Sequence, residues 1–201
     1  VEVTNNIVTG SVTAGNVIGL VNDNNAGTKS NIDVSDNHVS TTGLTYSVIS
    51  LNDLNNGAGI ISSISNNVIH GFFVNTRAIE LSNFTNNANN GITLTNNWVK
   101  SGLGTGLRLT SAGLNTLNGI LAERNNFNFC TKGIEIVTSS AVGANGIIIR
   151  ENYINNNTEG IEVSGDVSTM TTNQIFVNNN DLSSNTNGIN ISAITSNSAP
   201  T

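Results

Sequence analysis

The chain has 201 residues, 37% of them hydrophobic but only 10% charged and 4% aromatic, with a net charge of −6. Seven Lys and Arg scattered along an acidic chain exclude the basic stripe that a nucleic-acid partner needs. No window approaches the roughly eighteen consecutive apolar residues of a membrane-spanning helix.

Val1 falls directly inside a strand pattern, with no leader before it, so the chain reads as a mature form or an excised piece. Asparagine fills about one position in five, far above ordinary usage. Asn suits turns and left-handed positions rather than helix interiors. With Val and Ile recurring between the asparagines, the pattern is many short strands joined by tight turns.

One Asn marks the phase of an internal repeat. It stands at Asn6, Asn37, Asn67, Asn97, Asn125, Asn152 and Asn180, at successive intervals of 31, 30, 30, 28, 27 and 28 residues. Three places before it come Val3, Val34, Ile64, Leu94, Ala122, Ile149 and Val177. Two places after it come Val8, Val39, Ile69, Val99, Phe127, Ile154 and Leu182. A later apolar pair runs from Ile18 and Leu20 through Ile134 and Ile136 to Ile189 and Ile191. The alternation has period two throughout, which excludes helical repeats of similar length. Three short strands per repeat, each pointing alternate residues inward, close one coil of about 27–31 residues.

Stacked coils place like residues one strand spacing apart, about 4.8 Å, so every inward column becomes an apolar stack. The marker Asn is expected to take the left-handed bend between two strands. Its buried amide is expected to hydrogen-bond to the copies above and below. The fold class is therefore all-β, a single parallel β-solenoid of about seven coils spanning residues 1–191. A tail or linker, residues 192–201, loses the pattern and holds the only proline.

From VEVTNN at Val1 to GINI ending at Ile191, the chain resembles the right-handed parallel β-helix family of pectate lyases, polygalacturonases and phage tailspikes. The resemblance implies that the ladder Asn sits between the second and third strands of each coil. It also makes the GIEI-type segments the first strand. Catalytic carboxylates of the family's enzymes lie on that first strand. Its outward column here is Gly19, Ser50, Glu80, Arg108, Glu135, Glu162 and Asn190. Glu135 and Glu162 are the catalytic candidates, at about the separation of a retaining glycosidase pair.

Other features favour a surface charge ladder instead. Arg108 stands between Glu80 and Glu135, and the register sets Glu123 on Arg150, Arg124 on Glu151 and Lys132 on Glu159. The family's NTD, DD, GHG and RIK strings do not occur. His38 and His70 fall at non-equivalent points and read as surface or turn residues.

Asp23 and Asp53, in loops of neighbouring coils, are the candidates for a calcium ion, which prefers clustered oxygen ligands. Trp98 and Tyr153, in an outward column one place after the marker, are candidates for stacking on sugar rings. A second outward column turns apolar over its last three members, Leu121, Ile148 and Phe176, and these are the interface candidates. Single apolar residues in the loops, at Leu54, Phe84, Leu114, Val142 and Val167, are expected to fold over the coil. Cys130, the only cysteine, reads as a buried or bystander thiol rather than a reactive one.

The function expected is a non-enzymatic extracellular or cell-surface module, structural or adhesive, of a bacterial or phage surface protein or fibre. Its expected partners are other protomers or adjacent domains, with end-to-end association between open strand edges. The alternative is a polysaccharide-active enzyme, lyase or glycoside hydrolase, or a carbohydrate-binding remnant of one.

Overall fold

The computed structural model describes residues 1–11, 15–21, 31–42, 46–52, 61–72, 76–82, 91–101, 104–110, 117–138, 144–165 and 175–192. Three parallel sheets form a β-solenoid, and each of the first six coils contributes one strand to each sheet. Sheet A holds the strands before the marker Asn, from Glu2–Thr4 to Ile175–Asn178, seven in all. Sheet B holds the six strands after it, from Ile7–Ser11 to Tyr153–Asn155. A single bridge between Tyr153 and Asp181 carries sheet B into the last coil. Sheet C holds the seven GIEI-type strands, from Ile18–Val21 to Asn187–Ser192. The last of these reaches Ser192, one residue into the expected tail.

Strand register follows the sequence columns. Val34 lies beside Val3 and Ile64, Val99 beside Ile69 and Phe127, and Ile134 beside Leu107 and Ile161. Because every inward residue meets its own kind one rung away, short strands with few aromatics still build a continuous core. Ile49, Leu51, Ile64, Ile79, Leu94, Leu109 and Ile136 are all fully buried. At the last rung Ile189 and Ile191, inward by register, stand 50% and 61% exposed.

The marker asparagines form the expected ladder. From Asn6 to Asn180, each marker donates from its backbone N and its side-chain Nδ2 to Oδ1 of the next. The side-chain links measure 2.9–3.0 Å. The markers from Asn37 to Asn152 are buried.

The left-handed conformation, however, belongs to the residue before the marker. Asn5, Asp36, Asn66, Asn96, Arg124, Glu151 and Asn179 all have φ between 53° and 58°, and none of the seven markers does. The preceding residue makes the turn, which leaves the marker free to swing its amide inward. Five of these seven turn residues are Asn or Asp, the non-glycine types that tolerate this region best. This is the physical content of the recurring NN and DN pairs.

Each strand of sheet C in the later coils carries a glycine at its second position, Gly106, Gly133, Gly160 and Gly188. A Cβ on Gly133 would lie 2.7 Å from the Gly160 carbonyl oxygen and 2.3 Å from Ile154 Cγ2. Gly106 is equally confined, 2.6 Å from the Gly133 carbonyl and 2.7 Å from the Phe127 ring. Close approach between rungs therefore demands glycine here.

Candidate functional site

Sheet C places Glu135 and Glu162 as rung neighbours on its outer face, with Arg108 on the preceding rung. Arg108 reaches Glu80 at 3.5 Å and Glu135 at 3.2 Å. Lys132 binds both Glu135 and Glu162 through its single ammonium. Burial alone would lower the Lys132 pKa, but hydrogen bonds and charge from the two carboxylates hold it above the ordinary lysine value. Ser47 donates to Glu80 at 2.6 Å, and Arg77 lies 3.6 Å from the same carboxylate. The column is thus an alternating chain of half-buried charges, with no carboxylate left facing a cleft alone. Beside it a hollow of about 280 Å³ is lined by Arg77, Arg108, Lys132 and Glu135 with small neighbours.

Two of the three cross-rung pairs expected from the sequence form: Arg150 with Glu123 at 2.7 Å, and Arg124 with Glu151 at 3.1 Å. The third does not. Lys132 and Glu159 are strand partners, yet Lys132 turns along its own strand to Glu135 and diagonally to Glu162. Two carboxylates within reach of one flexible ammonium outweigh one. Glu159 instead accepts from Asn187 at 2.8 Å.

On sheet B, Trp98 and Tyr153 both face solvent, 46% and 56% exposed. They lie two rungs apart, with Asn126 between, so one sugar ring cannot bridge them directly. Trp98 instead joins the two histidines. Its ring meets His70 edge-on at 5.5 Å, and His70 meets His38 at 5.4 Å. The sequence reading kept the histidines apart because their phases differ by two places. On a strand, two places is the same face. Burial, then the charges of His38 and Lys100, lowers the His70 pKa. Lys100, the rung partner of His70, lies over the Phe129 ring at 5.4 Å.

On sheet A, Leu121, Ile148 and Phe176 are consecutive rung partners in one outward column. The first two are half-buried and Phe176 is exposed. The calcium candidates Asp23 and Asp53 lie outside the described residues, as do Leu54, Phe84, Leu114, Val142 and Val167.

One feature escaped the sequence reading: a second, shorter ladder at the corner between sheets B and C. Cys130 N donates to Asn157 Oδ1 at 2.8 Å, and Asn157 N and Nδ2 donate to Asn185 Oδ1 at 2.9 and 3.1 Å. Each is preceded by a left-handed residue, Phe129, Asn156 or Ser184. The signal was an Asn five places after the marker at Asn157 and Asn185, hidden among many others. Cys130 occupies the same slot without an amide.

Cys130→Asn should therefore extend this ladder, donating to Asn157 Oδ1 and to the Val99 carbonyl, the counterpart of the Phe127 oxygen that Asn157 meets at 3.1 Å. A gain of about 1 kcal/mol in urea-unfolding stability is expected. A loss of that size would show that the corner cannot accept the larger side chain.

The described architecture is that of a parallel β-solenoid with an internal asparagine ladder. Comparison with protein-family models, with curated proteins and with solved structures returned no match.

Proposed function

We propose that this chain is a stiff structural or adhesive module of an extracellular surface protein or fibre, built on the right-handed, pectate-lyase-like form of the β-solenoid. The observation that carries this reading is where the polar groups go. The marker amides run through all seven coils as one ladder. The carboxylates placed best for chemistry, Glu135 and Glu162, are tied to Arg108 and Lys132. A general acid or nucleophile must be free to reach its substrate, and these two carboxylates are instead engaged by neighbouring cations.

The ends support association with further rungs, from adjacent parts of the same protein or from other protomers. Every link runs from donors on one marker to the acceptor on the next, so among the described residues the ladder ends with an acceptor at Asn6 and a backbone donor at Asn180. Ile189 and Ile191 offer apolar surface at the same end as Asn180. The stripe of Leu121, Ile148 and Phe176 offers a lateral contact.

Light scattering and electron microscopy of the 201-residue chain test this. Rods that lengthen with concentration are expected, and a strictly monomeric particle at all concentrations would exclude end-to-end stacking. The enzymatic alternative rests on the adjacency of Glu135 and Glu162. If turnover of any polysaccharide is found, the Glu135→Gln, Glu162→Gln double variant is expected to retain it. A loss of a hundredfold or more, the scale of removing a general acid or base, would restore the catalytic reading.

A further inference from the structure

Among the described residues, Arg77, Arg108, Arg124, Lys132 and Arg150 all lie in ion pairs. Lys100 is the exception. It is exposed on sheet B, over the face of Phe129 and beside His70 on the neighbouring rung. The outer face of sheet B around it carries no described carboxylate from the His38 rung to the Asn126 rung. The corner before this face carries Asp36, Glu123 and Glu151, the last two paired with Arg150 and Arg124, and Asp181 lies on the last rung. In a chain of net charge −6 this face is locally basic.

The same face holds two exposed rings. Trp98 is 46% exposed and Phe129 49%, on adjacent rungs, with Lys100 between strand and corner. The His70 ring packs edge-on against the indole, which remains 46% exposed. A flat ring with a cation and an imidazole next to it offers two different contacts. The ring takes the C–H face of a pyranose by apolar contact. The ammonium and the imidazole take a carboxylate through charge-assisted hydrogen bonds.

We propose that His38, His70, Trp98, Lys100 and Phe129 form a binding face for a uronate-bearing polysaccharide, laid across the strands of sheet B. This goes beyond the structural reading and does not depend on it. The face is separate from the Glu135 column on sheet C, and Tyr153 is not part of it. An exposed aromatic pair favours a sugar over an acidic peptide, which would need the charge but not the rings. Lys100 supplies the cation, and the two histidines supply ring nitrogens for hydrogen bonding.

Trp98 is the only tryptophan in the chain, so its fluorescence reports this face alone. Titration with alginate oligomers is expected to shift and quench the emission to saturation, and added salt should weaken the binding. Lys100→Gln, at an exposed position that leaves the core intact, should weaken binding about tenfold, the scale of one charge-assisted hydrogen bond. Trp98→Ala, read by calorimetry, should weaken it by a similar factor, and Tyr153→Ala should leave it unchanged. The proposal is overturned by any of three results: no fluorescence or heat change with alginate, equal binding of neutral cello-oligomers, or equal binding of polyglutamate. Alginate binding that survives both Trp98→Ala and Lys100→Gln overturns it as well.

Discussion

Replacing Asn97 with Ala should lower the unfolding free energy by about 4 kcal/mol, the largest effect expected of any single polar residue here. Asn97 is buried at the fourth rung. Its Oδ1 accepts from the backbone N of Asn67 at 3.1 Å and from Asn67 Nδ2 at 2.9 Å. Its Nδ2 donates to the Ile64 carbonyl and to Asn125 Oδ1, each at 2.9 Å. Alanine removes all four bonds and leaves the Asn67 backbone N–H buried with no acceptor. Each orphaned buried group costs about 1–3 kcal/mol, far more than the bond gained in forming it. Stability in a stacked repeat is a sum over neighbouring rungs, so an interior break weakens two interfaces at once.

Position along the ladder supplies the control. Asn6 is exposed, and its side chain donates to Asn37 Oδ1 and the Thr4 carbonyl. Asn6→Ala leaves Asn37 Oδ1 with its bond from the Asn6 backbone, and a cost below about 1 kcal/mol is expected. Asn180→Ala should fall between the two, because Asn152 loses the acceptor for two donors at a half-buried end. Urea unfolding followed by circular dichroism checks the order Asn97, Asn180, Asn6. Equal costs at all three would mean that the ladder adds nothing beyond ordinary turn chemistry.

The second large effect is at Phe127, the biggest fully buried side chain among the described residues. Phe127→Ala should cost about 4 kcal/mol, the middle of the range for an aromatic truncated in a core. The surroundings explain why the site cannot collapse. Gly106 faces the ring with no side chain of its own, and its carbonyl-side neighbour Gly133 is pinned against the next rung. The strands above and below are fixed by register, with Val99 on one side and Ile154 on the other. The lost ring therefore leaves a dry cavity, and a dry apolar cavity of that size binds benzene or xenon. Val99→Ala in the same column removes less and should cost about 2 kcal/mol. Recovery of part of the Phe127→Ala loss in the presence of benzene would confirm a persistent cavity. No recovery, with a cost near that of Val99→Ala, would show that the rungs close over the gap.

Much of this arrangement was legible in the letters because a solenoid repeats its own register. Each inward position is stated seven times, so Val3 through Val177 or Val8 through Leu182 stand out where one strand alone would not. The outward charges were legible for the same reason, and Arg108 does lie between Glu80 and Glu135. What escaped depends on facts that columns do not carry. The left-handed turn falls on Asn96 rather than Asn97, since either residue of an NN pair could have turned. The narrow seam at Gly106 and Gly133 reflects the approach of one rung to the next, a distance that no pattern states. Lys132 abandons its strand partner for two carboxylates, a choice made by side-chain length and local charge. His38, His70 and Trp98 converge because residues two apart and one rung apart share a face, which single-column reading separates. The second ladder occupies only Cys130, Asn157 and Asn185 among the described residues, too few rungs to stand out in an Asn-rich chain.

Nuclear magnetic resonance on labelled protein gives the most direct test of the stacked amides. Scalar coupling across the hydrogen bond should connect the backbone nitrogen of Asn67 to the side-chain carbonyl carbon of Asn97, and likewise along the series from Asn37 to Asn152. Their side-chain amide protons should exchange with solvent far more slowly than those of exposed asparagines. Side-chain amides exchanging as in a free peptide, with no coupling between successive rungs, would contradict the internal column on which the whole arrangement of faces depends.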